Sequence, residues 1–129
     1  MFIIDILGRI FLSLLFLLEG ISKIFNYEGT LEYMENFSVP GYLLTPAIIV
    51  EILFPVLLIV GYQTRLSALV LSIFTIVLAI IFHSDFTNQM QFISFFKNIA
   101  IAGGFIIVLV NGPGIWSLDY KLKTNKTNV

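Results

Sequence analysis

The chain has 129 residues, of which 58% are hydrophobic, 15% aromatic and only 12% charged, whereas a soluble domain carries about 25% charged side chains. The length suits one domain over residues 1–129, and its polar side chains are too few to cover a water-facing surface, so its solvent is largely lipid. A net charge of −1 excludes a nucleic-acid footprint; zero cysteines exclude disulfides, thiolate metal sites and a dithiol cycle carried by this chain; and the single histidine, His83, excludes a multi-imidazole zinc site.

The first apolar segment, residues 2–25, is interrupted by Asp5, Arg9, Glu19 and Lys23. No Lys or Arg precedes Arg9 and no small-residue cleavage site follows, so it reads as a retained transmembrane helix rather than a secretory signal. Residues 26–42 form the longest connection, within which Thr30 to Phe37 predicts a short helix capped by Thr30 and stopped at Ser38-Val-Pro-Gly41. The second span, 43–62, contains Glu51, Pro46 and Pro55, with Pro55 predicted to kink it near Glu51. Gly61-Tyr-Gln-Thr64 turns the chain into the third span, 66–82, which has no charge and is bracketed by Arg65 and His83. The fourth, 92–110, carries Lys97 and Asn98 near its start and Gly103-Gly104, which suit a close helix approach, before a polar tail over 116–129. About 20 apolar residues cross a bilayer as helix. The expectation is an all-α, four-helix transmembrane bundle with short connections.

Lys121, Lys123 and Lys126 lie in the tail and Arg65 beside the second connection, while Glu28, Glu32 and Glu35 make the first connection acidic. Positive residues favour the cytoplasmic side, so both termini are expected there, with Trp116, Tyr62 and Tyr120 at the interfaces. At about 100° per residue, Asp5, Arg9, Glu19 and Lys23 share a narrow arc of the first helix. Arg65, Ser72, Ala79 and His83 do so in the third, as do Lys97, Gly104, Val108 and Asn111 in the fourth. The simplest assembly points these stripes at one another.

By depth, Glu19, Lys23, Glu51, His83, Lys97 and Asn98 form a candidate ligand-binding cluster in the outer half, with Glu51 and His83 the candidates for proton transfer. Asp5, Arg9, Arg65 and Asp119 form an inner group read as structural. The plain alternative is that Asp5–Arg9 and Glu19–Lys23, both spaced i,i+4, merely support their helix, and that buried charges only set helix register. No nucleotide-binding loop, hydrolase elbow or metalloprotease helix occurs in the sequence.

Gly8-Arg9, Glu19-Gly-Ile-Ser-Lys-Ile-Phe25, Glu51, Gly61-Tyr-Gln-Thr-Arg65, His83, Lys97-Asn-Ile-Ala100 and Gly112-Pro-Gly-Ile-Trp-Ser-Leu-Asp119 follow one another in an order that resembles the DoxX family of small bacterial membrane proteins. The resemblance runs from Arg9 to Asp119. It implies a four-helix protein of the bacterial inner (plasma) membrane, associated with an oxidoreductase system, and it brings no agreed catalytic residues. Structurally related quinone reductases use a cysteine pair that this chain lacks, which argues against autonomous thiol oxidation. The expected function is therefore a multi-pass inner-membrane subunit of a quinone-linked oxidoreductase system, with a polar pocket in its outer half. A quinone head group suits that pocket, with Glu51 and His83 relaying protons, Lys23 and Lys97 stabilising negative charge, and Asn98 orienting the head. The bilayer, an oxidoreductase partner and a second copy of the chain are the expected partners. The alternatives are a structural or assembly subunit and a small-solute or ion permeation protein.

Overall fold

The computed structural model describes residues 2–114 and 117–127. In order it contains helix α1 (Phe2–Phe25), α2 (Tyr27–Asn36), a 3-10 turn (Gly41–Leu43), α3 (Leu44–Val60), α4 (Thr64–Phe82), α5 (Gln89–Asn111) and α6 (Leu118–Thr127), with no strand among the described residues. Three stretches are long and apolar enough to cross a membrane: Gly41–Val60, Thr64–Phe82 and Gln89–Asn111. α1 has 24 residues, but its four charges set it apart from those three. Expected interfacial Trp116 and the Lys126 side chain lie outside the described residues.

The helix boundaries follow from their caps. α3 takes Pro46 in its first turn, where a missing N–H costs nothing. It ends at Gly61, whose φ of +81° is left-handed and whose N–H donates to the Leu57 carbonyl at 2.8 Å. α4 begins at Thr64 rather than at 66, because its first amides find an acceptor on a distant segment. α5 begins at Gln89 rather than at 92, because the Asn88 side chain accepts from the Met90 and Gln91 amides at 2.9 and 3.4 Å. The short helix starts before Thr30. Its N-cap residue is Asn26, and the Thr30 hydroxyl donates back to the Asn26 carbonyl at 2.9 Å, so Thr30 lies inside the helix instead of capping it.

α1 packs on α3, α3 on α4 and α4 extensively on α5, whereas α1 meets α5 only lightly. Buried Phe16, Leu58, Ala68, Leu71 and Phe105 form the core, and the Phe16 and Phe105 rings lie 5.6 Å apart. Small residues let the backbones close up: Ser13, Ser67, Ala68, Thr75 and Ala79 are all buried. A methyl group on Gly104 would sit 3.0 Å from Leu12, whereas Gly103 has open space beside it, so only one of the pair serves helix approach.

One expected stripe is turned in only at its middle, where Gly104 meets Leu12 and Val108 packs against the core. On α5 the buried residues are Ala102 and Phe105, while Lys97 and Asn111 are exposed. Burying the Phe105 ring outweighs burying a lysine ammonium, so the helix settles with Lys97 outside the core. Arg65 of α4 is likewise exposed, while Ser72 and Ala79 of its arc are buried.

Candidate functional site

The charges gather at the two ends of the bundle. At the α6 end, Arg9 is 2% exposed and its Nη1 donates to the Leu58 and Ile59 carbonyls at 3.1 and 3.2 Å. These carbonyls belong to the last turn of α3, which has no intrahelical donors for them, and a positive charge suits that helix end. Asp5 stands 3.4 Å from Arg9 Nε, the i,i+4 pair expected from the sequence. Asp119 does the complementary work: its carboxylate accepts from the Gln63 and Thr64 amides at 2.8 and 2.7 Å, while its own N–H donates to the Gly61 carbonyl at 2.8 Å. Thus one guanidinium closes the end of α3 and one carboxylate opens α4. A Cβ on Gly61 would stand 2.6 Å from Arg9 Nη1, so glycine is needed there for space as well as for φ. Arg65 lies against Gly112. Arg9 and Asp119 of this group each serve a helix terminus.

At the α2 end a cavity of about 870 Å³ opens between α1, α3 and α4. Most of its wall is apolar, from residues such as Phe16, Leu44, Val50, Phe74 and Leu78, and its polar groups include Glu19, Lys23, His83 and Asn98. Four of the six residues expected to cluster therefore line the cavity. Glu51 is fully buried behind the wall, where its Oε1 accepts from Lys23 Nζ. Lys23 thus reaches across to α3 rather than along its own helix to Glu19. Gly20 permits this approach, since a Cβ there would stand 2.8 Å from Ile52 and 3.3 Å from the Glu51 Cβ. Pro55 has no N–H for the Glu51 carbonyl, which would be its helical partner. The second carboxylate oxygen of Glu51 has no hydrogen-bond partner. Lys97 is exposed and off the wall, yet close enough to His83 to act on its charge. Burial, with Lys97, lowers the His83 pKa from its ordinary 6.5 while Glu19 opposes them, so the imidazole is neutral at pH 7.

The roof is α2, which the sequence did not single out for the site. Asn26, Gly29, Thr30, Tyr33 and Met34 all line the cavity. Tyr33 stacks on Phe82 at 5.4 Å, and Phe37 meets the same ring edge-on at 5.1 Å, fastening α2 to the end of α4. Burial raises the Tyr33 pKa above 10.0, so its phenol remains a hydrogen-bond donor. The readable signal was the i,i+3 and i,i+4 spacing of Thr30, Tyr33, Met34 and Phe37.

Among families, the DoxX model matches residues 4–84. The chain belongs to the DoxX family. A model of the SURF4 family matches residues 45–125, overlapping the first from residue 45 to 84. Two Escherichia coli (strain K12) proteins are similar along most of their length. Inner membrane protein YqjF is 38% identical over 114 residues, covering 88% of each chain. Inner membrane protein YphA is 32% identical over 121 residues, covering 88% of this chain and 86% of its own. No solved structure matches. With its apolar helices, this DoxX chain is a multi-pass inner-membrane protein, and the DoxX match takes in Arg9, Glu19, Lys23, Glu51, Arg65 and His83.

Proposed function

We propose that this DoxX protein is a single-domain, four-span membrane subunit of a quinone-linked oxidoreductase system, and that its cavity receives the head group of a lipid-soluble redox carrier. α1 serves as the fourth span: its Arg9 and Lys23 meet partners on α3, so their charge is not offered to lipid. Both termini face the cytoplasm, because Arg65, Lys121 and Lys123 gather at the α6 end while Glu28, Glu32 and Glu35 lie on or beside the opposite one.

The observation that carries the reading is Lys23 on the wall of a mostly apolar cavity, held there by a fully buried carboxylate. An apolar tail lies against the aliphatic wall while an oxygen of the head accepts from the lysine, whose further N–H groups are not used by Glu51. Glu51 acts through Lys23 as a positioning residue. Neutral His83 sits where it exchanges protons with the outer aqueous phase, and Asn98 orients the head. Electrons come from a partner protein. Purification in mild detergent, lipid extraction and an ultraviolet spectrum should find co-purifying quinone in wild type and much less in Lys23→Met. Quinone-free wild-type protein, together with unchanged behaviour of Lys23→Met and His83→Ala, would end the idea.

A second reading draws on the α6 end, where Arg9 and Asp119 serve helix termini. If Lys23–Glu51 is of the same kind, the protein is an assembly subunit, and its charge-neutral variants would lose a partner without losing any bound quinone.

A further inference from the structure

The polar groups of the cavity are unequal in a way that discriminates between head groups. Lys23 and Glu51 cancel each other as a bonded pair. That leaves Glu19, an exposed side chain at the edge of the wall, with no salt-bridge partner among the described residues. A carboxylate only accepts hydrogen bonds. His83, within electrostatic reach of Glu19, contributes one donor and one acceptor as a neutral ring. A head group lying along α1 therefore meets a donor at Lys23 and, one helical turn away on the same face, an acceptor at Glu19. A quinone presents acceptor oxygens at both ends, so an oxygen placed at Glu19 faces a carboxylate of like polarity. A quinol presents hydroxyls, which accept from Lys23 at one end and donate to Glu19 at the other.

We infer that the cavity selects head groups that donate a hydrogen bond to Glu19, and so holds the quinol of a quinone–quinol pair in preference to the quinone. Naming that pair rests on the proposed function above; the donor requirement rests on the wall itself. A hydrogen bond to a charged acceptor that is present for one form and absent for the other corresponds to a preference of about tenfold or more.

The test uses the full chain in mild detergent and four probes: a decyl-ubiquinone, its reduced quinol, 4-heptylphenol, and 4-heptylanisole, which is the same ring with its hydroxyl methylated. The inference expects quinol over quinone and phenol over anisole, each by about tenfold. Glu19→Gln, whose amide offers both donor and acceptor, should bring both ratios towards unity. Glu28→Gln, on the exposed surface of α2 away from the cavity wall, should leave them unchanged. Quinone binding as tightly as quinol in wild type overturns the donor preference but keeps the quinone reading. Phenol preferred over anisole with neither ubiquinone form bound does the reverse. Ratios unaffected by Glu19→Gln overturn the assignment to Glu19, and failure of all four probes to bind overturns both. The wild-type comparisons decide the matter even where a variant folds poorly.

Discussion

Lys23→Met strips the ion-pair partner from a carboxylate whose side chain is 0% exposed, while Lys23 itself is 25% exposed. The two halves of this pair should therefore differ in what their loss costs. Removing one member of a buried pair costs about 3–5 kcal/mol. Glu51 has no other hydrogen bond to fall back on, because its second oxygen is already unpartnered. Partial screening at Lys23 places the Lys23→Met penalty near the lower limit, about 3 kcal/mol. Glu51→Met leaves an ammonium that can still reach the cavity, and should cost about 1–2 kcal/mol. In Lys23→Met/Glu51→Met no charge is stranded, so the double variant should lie no further from wild type than Glu51→Met alone, a coupling of about 3 kcal/mol. Equilibrium unfolding in mixed micelles with increasing SDS fraction, followed by far-ultraviolet circular dichroism, yields all four corners of the cycle. Penalties that add within about 0.5 kcal/mol, or a Glu51→Met that is worse than Lys23→Met, would refute the pairing and with it the anchoring of Lys23 at the cavity.

The same unfolding assay checks three further expectations. Gly20→Ala should destabilise by about 1 kcal/mol, as crowding against Ile52 exceeds the helix-propensity gain, whereas Gly103→Ala, with open space beside it, should stabilise by about 0.5–1 kcal/mol. Arg9→Met leaves the Leu58 and Ile59 carbonyls without their donor and should cost about 2–5 kcal/mol; a loss below 1 kcal/mol would show that other groups replace it. Asp119→Ala should cost about 1–2 kcal/mol through the uncapped start of α4, with Asp119→Asn losing less. For pH, the folded state holds His83 neutral below its ordinary 6.5. The unfolded chain therefore takes up the proton first as pH falls, so stability is unaffected well above 6.5 and declines on acidification through the folded pKa. His83→Gln should flatten the fall in melting temperature between pH 7 and 5, and an equally steep fall in that variant would remove His83 as its source.

Spacing alone located the long helices and the shared arc of charges on α1, since 3.6-residue periodicity and the cost of charge in lipid act on any sequence. It placed Glu19, Lys23, His83 and Asn98 at one end, where the cavity has them all. It did not tell which carboxylate Lys23 would choose, because Glu19 at i,i+4 and Glu51 across the bundle are both plausible partners until Gly20 brings the backbones together. From the sequence, Asp119 is simply one member of the inner structural group. Its role at the start of α4 depends on a contact 55 residues away, which no local pattern encodes. The exposure of Lys97 on α5 was hidden for a related reason: the outcome depends on what Phe105 meets, and that is Phe16 of another helix.

Arg9 and Asp119 also impose an order of events on biogenesis. Synthesis delivers the N-terminal segments first, so the guanidinium is in place before the carbonyls it will cover, 49 and 50 residues later, have been made. The start of α4 then enters the membrane with its leading amides unserved until Asp119 emerges, after all four long helices. Until then the α3–α4 turn is held from one side alone. Nascent chains stopped short of Asp119 should therefore be open to membrane proteases at that turn, while chains reaching Lys123 should resist them. On that order of synthesis, the second capping contact closes only once Asp119 has been made.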